Sequence, residues 1–249
     1  MKQLLFFICM ISSALTAGSQ TIFIKKGNIE YERKTNTYRL YFSGEENSFW
    51  DQIKKSIPQF KTDHFNLIFN ESRSVYKIGK ENTDQKISYF ESPANENTVY
   101  KDLDQQISVS QKQVFESHFL ISDSLKNLEW KLLPETRTIA GFECHKALTK
   151  ICDSVVVVAF YSDEITPSNG PESFGGLPGM ILELAVPRLY TTWTATKLEQ
   201  ITDTDEKVII APVKGKKANQ KEIIAKVDEG TKDDTWQNFH NRVLWFVSL

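Results

Sequence analysis

Cysteine and histidine are scarce in this chain, and their scarcity removes several chemistries at once. Its 249 residues hold three cysteines and four histidines. His64, His118, His145 and His240 stand far apart, without the short, fixed ligand intervals that metal sites use. Cys144-His145 is the one adjacent pair of soft ligands. Neighbours in a strand face opposite sides of the sheet, so one ion would not meet both. A serine nucleophile would want a Gly-x-Ser-x-Gly elbow, and there is none. Gly175-Gly176-Leu177-Pro178-Gly179 has glycines but lacks the Lys-Ser/Thr that completes a phosphate loop. The sequence thus nominates no catalytic residue, no metal ligand and no cofactor.

Excess charge of one sign is also missing. Thirty Lys and Arg against 32 Asp and Glu leave a net charge of −2. No compact basic cluster interleaved with aromatics appears either, which excludes nucleic acid as the main partner. Long apolar runs are absent beyond the first twenty residues. Val155–Tyr161 is of strand length, whereas a spanning helix needs roughly 20 apolar residues, so no transmembrane span is expected.

The N-terminus has a pattern of its own. Lys2 precedes the apolar run Leu4–Ile11, and the small-residue stretch Ala14–Ser19 follows. Basic, then apolar, then small is the layout of a secretory signal peptide. Cleavage is expected after Ser19, with Ala17 as the alternative. Cys9 would leave with that segment, and the remaining pair, Cys144 and Cys152, would meet an oxidising compartment. An even pair there is read as a disulfide closing a hairpin around Leu148–Ile151.

Period-two alternation dominates the rest. Ile29, Tyr31 and Arg33 alternate with polar neighbours, as do Phe65, Leu67 and Phe69, and Phe115, Ser117, Phe119 and Ile121. Val155, Val157, Ala159 and Tyr161 form another such set, Leu182, Leu184 and Val186 a further one, and Thr191–Thr196 is strongly strand-prone. Polar turn stretches separate these runs, which favours a meander. Two helices are expected. One is capped by Asn47, carries Phe49, Trp50, Ile53 and Ile57, and stops before Pro58. The other runs from an Asn219 cap to Gly230. The fold expected is mainly β, a curved antiparallel sheet or half-barrel with one or two packed helices. It divides into a signal (1–19), a β domain (20–211), and a basic hinge with a C-terminal appendix (212–249). The apolar end, Trp236 to Leu249, needs a cover from this domain or from a partner.

The most distinctive segment is Gly176-Leu177-Pro178-Gly179-Met180-Ile181, preceded by Gly170-Pro171. It resembles the signature of the GLPGLI family, secreted Bacteroidetes proteins without an established activity. Ile139–Ala147, Ala159-Phe160-Tyr161-Ser162 and the tryptophan segment Leu128–Leu132 extend the resemblance over about Val99 to Glu199. Departures are mild: Met180 for Leu, Phe160 for Trp, and Thr166-Pro167 for an Ile-Pro step. The signature reads as a sharp turn, Pro178 setting one corner and Gly179 taking positive φ at the next. The other reading makes Phe174, Leu177 and Met180 an apolar ligand lip.

The functional expectation is an exported, non-catalytic binding or carrier module. Its partner would be an apolar small molecule or an envelope protein. The alternative is a structural or interaction protein of outer-membrane machinery, and an enzyme is the third reading. Oligomeric state is not legible in the sequence.

Overall fold

A computed structural model describes residues 23–42, 48–80, 96–201, 206–231 and 237–249. The expected signal segment with its cleavage position, the Asn47 cap, most of the polar stretches at 81–84 and 92–97, and Trp236 lie outside those residues.

The strands are β1 (Gly27–Asn36), β2 (Phe60–Phe69), β3 (Arg73–Lys80), β4 (Thr98–Asp102), β5 (Ile107–Val114), β6 (Ser117–Ser124), β7 (Lys131–Ile139), β8 (Phe142–Ile151), β9 (Val155–Ser162), β10 (Met180–Val186), β11 (Thr191–Gln200) and β12 (Lys216–Ala218). Among the described residues four α-helices accompany them: α1 (Thr37–Phe42), α2 (Ser48–Ser56), α3 (Gln220–Gly230) and α4 (Gln237–Val247).

All twelve strands belong to one open, curved sheet in the order β12-β6-β5-β4-β3-β2-β1-β11-β10-β9-β8-β7. Two meanders build it. The first runs outward from β1 to β6, the second runs inward from β7 to β11, and they meet where β11 pairs antiparallel with β1. Only β12 is parallel, on β6. Short connections make the antiparallel pairing cheap; Asn70, for instance, closes the β2–β3 turn by accepting from the Ser72 and Arg73 amides. Both outer strands discourage further pairing. β7 carries Pro134 and a register irregularity, and β12 is three residues long with two lysines.

The expected alternation sets the core. Ile29, Tyr31, Phe65, Leu67, Phe69, Val157, Ala159, Leu182, Leu184 and Trp193 are all buried on the inner face. Phe115 breaks its set: it occupies the β5–β6 turn and is exposed, while Phe119 and Ile121 go inward. The C-terminal segment docks on the first meander. Ile223, Val227, Val243 and Val247 pack on Val114, Phe119 and Ile121, and Phe246 and Leu249 join the main core. The domain itself thus covers those apolar residues. α3 starts as expected, with Asn219 and Glu222 forming a reciprocal capping box. Gly230 is its last helical residue, and Thr231 forms the C-cap. Two helices escape sequence reading, α1 because Thr37–Phe42 is short and aromatic, and α4 because its apolar residues show no plain stripe.

The expected Cys144–Cys152 disulfide is not formed. Both thiols are free, Cys144 buried and Cys152 exposed. The hairpin that would join them does not exist: Phe142–Ile151 is one continuous strand, with Cys152 directly after it. Eight residues of extended chain span about 26 Å, and a disulfide needs Cα atoms within about 7 Å. Burial also pushes the Cys144 thiol up to about 12, so it has little thiolate. In the native protein iodoacetamide should therefore alkylate Cys152 and reach Cys144 only in denaturant. A Cys144–Cys152 crosslinked peptide in a non-reducing digest would contradict this.

Candidate functional site

Between β9 and β10 the chain leaves the sheet as a long loop, 163–179, and returns through the signature. Its residues alternate in exposure: Gly176 and Pro178 face solvent, while Leu177, Gly179, Met180 and Ile181 are buried. Phe174 is buried too. Phe174, Leu177 and Met180 therefore plug the core rather than forming an exposed lip. Gly179 has φ +137, and a Cβ there would stand 2.1 Å from the Ser162 carbonyl oxygen, so glycine alone fits. Backbone bonds pin the returning chain: Met180 N–H donates to Ile165 O at 3.0 Å and Ile181 N–H to Asn169 O at 2.8 Å. Trp130 Nε1 donates to Gly175 O at 2.9 Å, which gives the tryptophan segment a physical role. Tyr31 Oη donates to Ile181 O from the centre of the sheet.

The loop is held by polar side chains of the first meander. Lys101 on β4 is 2% exposed and donates to Asn169 Oδ1 and Gly170 O at 2.9 Å and to Phe174 O at 2.5 Å. Asn169 Nδ2 donates to Ser74 Oγ on β3 at 2.7 Å. Asn97 Nδ2 donates to Glu172 Oε2 at 2.8 Å, and Glu172 sits fully buried with a positive φ of 52°. Burial pulls Lys101 down to about 7, with Glu172 opposing and Lys126 adding to the shift. Lys112 is also 2% exposed and donates to Val247 O and Leu249 O; burial lowers it to about 8 against the pull of Glu172. A buried ion pair, Arg33 to Asp63 at 2.7 Å, lies near these groups. Burial alone would raise the Asp63 carboxyl, but Arg33 and Lys61 hold it below its ordinary range.

A cleft of about 540 Å³ opens on the outside of the second meander. Leu128, Leu148 and Val156 give it an apolar floor, and Asn127, Glu129 and Lys150 give it a polar rim. Thr149 Oγ1 donates to Glu129 O at 2.8 Å and fixes the 127–130 segment beside β8. Among the described residues no group of His, Cys, Asp and Glu is placed to hold a metal ion. No described helix is long and apolar enough to cross a membrane.

The family description N-glycanase peptide, N-terminal domain, matches residues 54–224. The chain belongs to this family. Two solved structures of PNGF-II share the fold. The first, in space group P21, is 16% identical with a TM-score of 0.53, over 81% of this chain and 33% of that one. The second, in space group C2, is 15% identical with a TM-score of 0.52, over 86% of this chain and 33% of that one. The chain thus spans about one third of the length of those structures. Curated proteins give no match.

The N-glycanase N-terminal family match runs through the signature, the tryptophan segment and most of the sheet. Sequence reasoning found the signature and Trp130 but passed over Lys101, Lys112, Asn97, Asn169 and Glu172. A signal for two of them existed. Lys101 follows Val99, and Lys112 stands between Ser110 and Val114, at inward positions of alternating strands. Cys144 and Cys152 are not brought together, and neither belongs to the loop network.

Two outcomes follow from this geometry. Gly179→Ala should lower unfolding stability by about 2–4 kcal/mol, combining a clash with the carbonyl and a strained φ. Leu177→Ser should cost a similar amount through loss of buried apolar volume. Urea melts check both, and unchanged midpoints would refute the turn-and-plug geometry. The second outcome concerns pH. Lys101 and Lys112 have lowered folded-state values, so between about pH 7 and 10 the unfolded chain binds more protons. Stability must therefore rise with pH in that window. A gain on the order of 2 kcal/mol or more from pH 7 to 9 is expected in denaturant melts, most of it from Lys101, so Lys112→Met should reduce the gain without abolishing it.

Proposed function

We propose that this chain is an exported, non-catalytic recognition module that binds a glycan-bearing partner in the outer cleft. The cleft itself carries the reading: it joins an apolar floor to a rim of amide, carboxylate and ammonium groups. Such a surface suits a sugar, whose ring faces present C–H groups and whose edges present hydroxyls. Membership in the N-glycanase N-terminal family supports a glycan as the ligand class. An apolar small molecule inside the sheet fits less well, because the loop plug and α4 already fill the inner face with Phe174, Leu177 and Phe246. Export is supported by the basic, apolar and small order of residues 1–19. Kinship with the GLPGLI proteins belongs to the same proposal, supported by the buried turn that their signature forms here.

The test is a calorimetric titration with an N-linked glycopeptide and with the same peptide lacking its sugar. The glycopeptide should bind and the bare peptide should not. Val156 is exposed on the floor near the start of β9, so Val156→Trp should fill the cleft without unfolding the sheet. Affinity should then fall at least about tenfold, a loss of 1.4 kcal/mol, with an unchanged melt. Equal binding of both peptides, or none, would overturn the glycan reading.

A further inference from the structure

The outer cleft is continuous with the rest of its face of the sheet. Residues directly opposite each other on antiparallel strands carry their side chains to the same side. The strand pairing therefore extends the cleft floor as a row. Leu148 on β8 stands opposite Val158 on β9, and Val158 opposite Ala185 on β10. Ala185 in turn stands opposite Thr192 on β11, and Thr192 opposite Lys34 on β1. Leu148, Val158, Ala185 and Thr192 are half-buried, whereas Ala147, Val157, Leu184 and Trp193 beside them in the strands are fully buried in the core. From Leu148 to Lys34 the row crosses four strand spacings of about 4.8 Å, roughly 19 Å along the sheet. No charged residue interrupts it before Lys34.

At its far end the row meets an aromatic ring. Phe60 begins β2 opposite Asn36, and Asn36 lies on the same face of β1 as Lys34. Lys34 Nζ stands 4.9 Å from the centre of the Phe60 ring, which is 43% exposed. Tyr190, whose carbonyl accepts the Asn36 N–H at 2.9 Å, adds a second exposed ring at that end. Charges of both signs border the row. Glu129, Lys131 and Lys150, with Asp153 of the β8–β9 turn, lie at the cleft end, and Lys34, Arg39 and Glu32 at the other. Along one side, Arg137 pairs with Glu183 at 2.7 Å and Lys146 with Glu135 at 2.6 Å. This mixture selects no net charge in a ligand. It offers donors and acceptors to hydroxyl groups, while the uncharged floor and the rings suit C–H faces.

We infer that the cleft is one end of a longer glycan track, which crosses β8, β9, β10 and β11 on the outer face and ends at a stacking subsite on Phe60 beside Lys34. The inference rests on the glycan reading and deepens it. The ligand is a chain of several sugars held at both ends, not a single terminal residue. It runs across the strands, and the small side chains of Ala185 and Thr192 leave it room to pass.

Calorimetric titration with two glycopeptides decides it. One carries a single N-acetylglucosamine on its asparagine, the other the complete branched N-glycan. The longer glycan should bind at least about tenfold more tightly. Ala185→Gln would stand a longer side chain in the middle of the row, and Phe60→Ser would remove the distal ring. Each should cost the longer glycan about tenfold in affinity, and the single sugar far less. Both side chains lie on the outer face, so the melts should be unchanged. Three results would overturn the track and leave the cleft reading standing: equal affinity of the two glycopeptides, equal losses for both in the variants, or variants that bind the longer glycan as tightly as before. Binding of neither glycopeptide would overturn the cleft reading and the track together.

Discussion

A lysine amino group buried under a loop fixes the form of this protein. A polar group taken out of water is costly unless it is hydrogen-bonded. Lys101 meets that demand with one side-chain oxygen and two backbone carbonyls, all from residues 169–174. The consequence is long-range. Lys101 belongs to the first meander and its acceptors to the second, yet the two meanders share only one pair of hydrogen-bonded strands, β1 and β11. The loop therefore clamps two wings that could otherwise splay. Ser74 to Asn169 and Asn97 to Glu172 repeat the same tie. Buried polar ties of this kind favour one arrangement, although Asn97 Oδ1 and Glu172 Oε1 have no hydrogen-bond partner among the described residues.

That clamp also directs where recognition can happen. With Phe174 and Leu177 driven into the inner face and α4 closing it beside β5 and β6, the inside of the curved sheet is structural. The cleft on β8 and β9 opens on the other side, on the outside of the sheet.

Much of the fold was legible because burial on one face imposes period two, and residues such as Phe65, Leu67 and Phe69 or Leu182 and Leu184 show it openly. The turn chemistry of Pro178-Gly179 was legible for a similar reason, since few residues tolerate φ of +137. The disulfide was misread because cysteine count and compartment carry no distance information. Only the strand assignment reveals that Cys144 and Cys152 lie along one extended segment. The clamp itself stayed hidden. Lys101 looks like any surface lysine until its neighbours are known to be strands and Val99 is known to point inward. Asn169 and Glu172 sit in a loop with no periodicity at all, so nothing in their order announces burial. The outer cleft combines residues from segments that approach only after pairing.

Hydrogen–deuterium exchange of the Lys101→Met protein tests the clamp most directly. Met keeps the bulk of the side chain but leaves the Gly170 and Phe174 carbonyls without this donor, a loss of roughly 1–3 kcal/mol for each unsatisfied group, while Asn169 Oδ1 keeps the Gly170 N–H. The account predicts that the Phe174, Met180 and Ile181 amides, now hydrogen-bonded to Pro171, Ile165 and Asn169, exchange much faster in the variant. The β1–β2 amides should keep their relative protection. Unchanged exchange of those loop amides, with an unchanged melt, would contradict the claim that Lys101 holds the two wings together.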